Sequence, residues 1–96
     1  MKRCVGLLTI ELFFDSSQSL KDRRRVLSSV KERLRHRFNI SIVEADYGEK
    51  WQRGGFIVSC AGANPTLVEN TLQAVVQFIE EDPRVQTVSS ELNYYE

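Results

Sequence analysis

The chain has 96 residues, 42% of them apolar and 27% charged, with thirteen basic and thirteen acidic side chains and a formal net charge of zero. That length accommodates one domain around one core, residues 1–96, and the apolar content excludes a disordered chain. No apolar run approaches the roughly 20 residues that a membrane-spanning helix requires. The opening Met1-Lys2-Arg3 precedes an apolar stretch, but that stretch carries Thr9 and Glu11 and ends in Phe13-Phe14-Asp15 without a small-residue cleavage site, so no signal peptide is expected. Two cysteines cannot make a disulfide framework, and one histidine cannot complete a zinc site with them. A cytoplasmic setting without metal or cofactor is therefore expected.

Residues 3–14 read as a strand apolar on both faces, with Cys4, Leu8, Ile10, Leu12 and Phe14 on one side and Val5, Leu7, Thr9, Glu11 and Phe13 on the other. Two apolar faces place a strand centrally in its sheet. Polar residues 15–19 break the pattern, and Ser19 with Asp22 resembles a capping box. The helix that follows runs to about Arg37, with a stripe of Leu20, Leu27, Val30, Leu34 and then Phe38. A second strand is expected over 39–46, a hairpin connection over 47–50 and a third strand over 51–61. Asn64-Pro65 opens a second helix, whose stripe is Val68, Leu72, Val75 and Ile79, and Asp82-Pro83 ends it. Residues 84–94 form the last strand.

The order β-α-β-β-α-β predicts an α+β, ferredoxin-like split-βαβ sandwich with a four-stranded antiparallel sheet. Right-handed crossovers put the first and third strands in the centre and both helices on one face. The other face stays open, and Val5, Leu7, Phe13 and Ile57 on it are candidates for a homodimer interface. Cys4 and Cys60 are expected as reduced, facing neighbours on the helix side.

The first helix carries eight bases against Asp22 and Glu32, a local charge of +6, whereas the second helix carries four acids and no base. Arginine's planar fork matches a phosphodiester, so Lys21, Arg24, Arg25, Lys31 and Arg35 are candidate nucleic-acid contacts, with Trp51 and Arg53 beside them. Ion pairing to the acidic helix is the structural alternative. Topology brings Ser16, Ser17, Ser19, Lys21, Arg24, Asp46, Tyr47, Trp51 and Arg84 to one end of the fold, where Trp51 either packs or stacks a base. Arg53-Gly54-Gly55-Phe56-Ile57-Val58-Ser59-Cys60 superficially matches the third-strand signature of an RNA-recognition motif. Its stacking places hold Gly55, Ile57 and Cys60, so that mechanism is excluded. Glu44 and Asp46 share a strand face and read as edge charges or partners of Arg24 and Arg53. His36 reads as a solvated side chain. No nucleophile elbow, P-loop or dinucleotide fingerprint occurs, and a binding protein rather than an enzyme is expected.

Ser19-Leu20-Lys21-Asp22-Arg23-Arg24-Arg25-Val26, Arg37-Phe38-Asn39-Ile40-Ser41, Glu44-Ala45-Asp46 and Trp51-Gln52-Arg53 resemble the YlxP-like proteins, small uncharacterised bacterial proteins. The resemblance covers nearly the whole chain. It implies a ferredoxin-like fold and a bacterial cytosolic setting. Members are often encoded among translation and ribosome-maturation genes, which implies RNA or the ribosome as partner by association. The alternative is a homodimeric interaction protein that associates through its open sheet and does not bind RNA.

Overall fold

Alternation along the first strand fixes the architecture. In the computed structural model, which describes residues 3–14, 20–45, 47 and 52–96, β1 spans Cys4–Phe13. Its even residues Cys4, Leu8, Ile10 and Leu12 are buried, as is Phe14 just beyond it. After β1 come α1 (Leu20–Arg37), β2 (Ser41–Glu44), β3 (Arg53–Gly62), α2 (Pro65–Glu80) and β4 (Gln86–Tyr95). The sheet order is β2-β3-β1-β4, every neighbouring pair antiparallel, so β1 and β3 are central and β2 and β4 are edges. This is the ferredoxin-like arrangement expected from the sequence.

Both helices lay their apolar stripes on the even face of β1. Leu27, Val30 and Leu34 of α1 and Val68, Leu72, Val75 and Ile79 of α2 close one core over Phe56 and Val58 of β3. Burying each such side chain contributes about 1.5–3 kcal/mol. Asn64 caps α2 in an extended conformation, and its side chain accepts the Leu67 N–H at 3.0 Å. Pro65 follows at a position where its missing N–H costs nothing. At the other end, Asp82 has left the helix, and its backbone N–H donates to the Ile79 carbonyl at 3.1 Å.

Strand boundaries shift by a few residues from the sequence reading. β2 is limited to Ser41–Glu44 because it pairs only with Phe56–Ser59 of β3. Ile40, expected inside that strand, instead packs against the core from just before it. The cysteine pairing also needs correction. Cys4 faces Gly62 and Cys60 faces Gly6, so the two thiols are diagonal rather than facing. Both are free and buried on the helix side, as small apolar residues would be.

Candidate nucleic-acid interface

Turning Leu27, Val30 and Leu34 to the sheet leaves the opposite arc of α1 to solvent. Lys21, Arg24 and Arg25 are exposed there and line an open groove with Ser28, Ser29 and Glu32. Among the described residues these three cations form no ion pair. Other α1 cations are engaged: the Lys31 ammonium lies 3.6 Å from Glu44, and the Arg35 guanidinium lies 3.6 Å from Glu32. Arg23 donates to the Arg53 carbonyl at 2.9 Å. Two candidate contacts, Lys31 and Arg35, are thus partly neutralised. Glu44 serves Lys31, not the expected Arg24 or Arg53.

The anticipated pairing of α1 with the acids of α2 is confined to one residue beyond the helix end. Asp82 has a side chain only 6% exposed. Its carboxylate accepts the Arg84 backbone N–H at 2.9 Å and the Arg84 guanidinium at 3.0 and 2.8 Å. Arg33 approaches the same carboxylate at 3.6 Å. These donors hold the Asp82 carboxyl below the usual carboxylate range, with the Arg84 hydrogen bond the leading cause. Arg84 also reaches the Ser29 hydroxyl at 3.5 Å. It therefore sits against the middle of α1, not beside Lys21 and Arg24 as the topology suggested. Nearby, the Arg33 and Arg37 guanidiniums lie 5.1 and 5.4 Å from the centre of the Phe78 ring, and Phe38 meets that ring edge-on at 6.3 Å.

Arg53 belongs elsewhere. It lies on the open sheet face, paired with Glu11 at 3.1 Å and over the Phe13 ring at 5.5 Å, away from the exposed face of α1. Tyr47 rests against Gly55 on that same face, where burial and the Glu11 carboxylate raise its hydroxyl pKa. Val5 and Ile57 are exposed there, Leu7 and Phe13 half-buried, and Val43 and Tyr95 extend the patch. Ser16, Ser17, Ser19, Asp46 and Trp51 lie outside the described residues. Arg33, Arg37 and Arg84 were not among the candidate contacts, although the basic residues at every fourth position of α1 were a visible signal. No helix is long and apolar enough to cross a membrane, and no metal-ligand cluster occurs among the described residues.

Residues 5–92 match the family described as "Protein of unknown function (DUF503)". The chain is 29% identical over 91 residues to "Uncharacterized protein YlxP" of Bacillus subtilis (strain 168), covering 95% of this chain and 99% of that protein. Among solved structures it resembles the "De novo designed protein Foldit4", with a TM-score of 0.55 and 12% identity over 99% of this chain and 98% of that one. That last likeness is one of fold alone.

Proposed function

This chain belongs to the DUF503 family, and on that premise we propose that it is a small bacterial cytoplasmic module that binds RNA by its phosphate backbone and catalyses no reaction. The observation that carries the reading is the set of exposed cations on α1, Lys21, Arg24 and Arg25, which no described acid neutralises. A phosphodiester meeting that groove gains charge-assisted contacts without breaking an existing pair. RNA is preferred to DNA because the YlxP-like resemblance implies an association with translation genes. Binding of this kind positions a backbone and reads no sequence.

The test is a titration of RNA with wild type and with Arg24→Ala/Arg25→Ala. The double variant is expected to weaken binding on all sequences alike and to flatten the salt slope by up to about two charges' worth. A folded double variant that binds as well as wild type would sink the α1 interface.

One observation favours a second reading. Val5 pairs with Tyr95 near one end of the open face and Ile57 with Val43 four residues further along, so that face carries two exposed apolar pairs with half-buried Leu7 between them. Of the charges on that face, Glu11 and Arg53 satisfy one another, and Glu91 of β4 stands exposed beside Thr9. A second copy of the same near-neutral face would suit it. About 400 Å² of apolar surface buried per subunit would contribute about 10 kcal/mol before association costs. Sedimentation is expected to give a dimer, and a monomer at high concentration would exclude it. Such a dimer presents two α1 surfaces, so the readings are compatible.

A further inference from the structure

Every fourth residue of α1 from Lys21 onward is a cation, with a single gap: Lys21, Arg25, Ser29, Arg33, Arg37. Such a row forms one continuous ridge on a helix, rising about 6 Å per step and about 24 Å in all. At the gap, Arg84 arrives from the α2–β4 turn and places its guanidinium 3.5 Å from the Ser29 hydroxyl. The geometry points to a single line of five cations, Lys21–Arg25–Arg84–Arg33–Arg37, as the track for consecutive phosphates of one RNA strand. Asp82 is the positioning residue that holds Arg84 in it. This assignment rests on the RNA-binding reading and specifies which side chains carry it and what form of ligand they take.

Three features support the line over a diffuse basic surface. Three of its five cations are pre-set: Asp82 grips Arg84 through both carboxylate oxygens and also meets Arg33 at 3.6 Å, and the Phe78 ring carries Arg33 and Arg37. Cations held in place lose less freedom when a ligand arrives. Of the off-ridge cations, Lys31 and Arg35 are engaged with Glu44 and Glu32 and Arg23 with the Arg53 carbonyl, while Arg24 stays exposed beside the start of the line. Finally, the aromatic ring that the described residues place beside the ridge is the half-buried Phe78. Phe78 is flanked by two guanidiniums and by Phe38, so contact along the ridge is to the backbone and not to stacked bases.

The experiment measures binding of the full chain to oligouridylate RNA as a function of salt. Arg84→Gln and Arg37→Gln are each expected to flatten the log–log slope by about 0.7, the share of one phosphate on a single strand. Arg84→Lys, which keeps the charge, should retain the wild-type slope. Arg35→Gln, off the ridge, should leave the slope unchanged. Polyglutamate at equal charge should fail to displace the RNA, because its carboxylates lack the regular phosphodiester spacing.

If Arg35→Gln flattens the slope while Arg84→Gln and Arg37→Gln do not, the ridge is wrong and RNA binding stands. Displacement by polyglutamate would make the ligand an acidic chain and overturn the assignment. If wild type binds no oligouridylate, the ridge and the RNA reading fall together. Should Arg84→Gln fail to fold, the comparison of Arg37→Gln with Arg35→Gln decides the matter unaided.

Discussion

Gly55→Ala is expected to lower the stability of the fold by about 3 kcal/mol or more, at the upper end of what overpacking costs. A β-carbon built at Gly55 falls on the backbone carbonyl oxygen of Ile10, in the adjacent central strand. It also comes within 3.0 Å of the Tyr47 ring. A backbone oxygen in the middle of a sheet cannot yield without breaking the ladder around it. The neighbouring Gly54 makes the control. There the added carbon meets only side chains, Leu27 and Phe14 at 3.0 Å, and these can shift by a few tenths of an ångström. Urea unfolding should therefore show Gly54→Ala milder than Gly55→Ala. Equal midpoints for the two variants would contradict the close approach of β3 to β1 at this point.

The second large effect is expected at Asp82. Truncation to alanine removes the acceptor for Arg84 and Arg33 and unties the α2–β4 turn from α1. Breaking a fully buried pair costs about 3–5 kcal/mol; here the arginines are about half exposed, and about 2 kcal/mol is expected. The same network sets a pH dependence. Because the folded carboxyl titrates below its unfolded value, its contribution is complete above the ordinary carboxylate pKa of about 4. It is lost as pH falls through the lower, folded value. Wild type should therefore lose more stability than Asp82→Asn as pH drops below about 4. Identical acid curves for the two proteins would show that Asp82 adds nothing.

The fold was legible because β1 declares itself. Cys4, Leu8, Ile10, Leu12 and Phe14 share one parity, and a strand apolar on both faces belongs in the centre. Register was less legible. The Cys4–Cys60 offset of two residues depends on where β3 begins after the β2–β3 connection, and alternation alone cannot count a loop. Arg53 shows a signal that was present and unused. It has the same parity as Ile57, so placing Ile57 on the open face already placed Arg53 there, opposite the helices. The partners of Lys31 and Arg35 were hidden because several acids lie within reach of each long side chain. Packing selects among them. Arg84 was harder still: its seat at Ser29 depends on how far along α1 the end of α2 arrives, a tertiary distance that no local pattern encodes.

The most direct measurement is the affinity of the wild-type chain for RNA across a range of salt concentrations. Three or four phosphate contacts along α1 give a slope of roughly −2 to −4 in log affinity against log salt. A slope in that range, alike for unrelated sequences, is the expected result. Absence of binding at physiological salt, or binding indifferent to salt, would contradict an interface built from Lys21, Arg24, Arg25 and their neighbours.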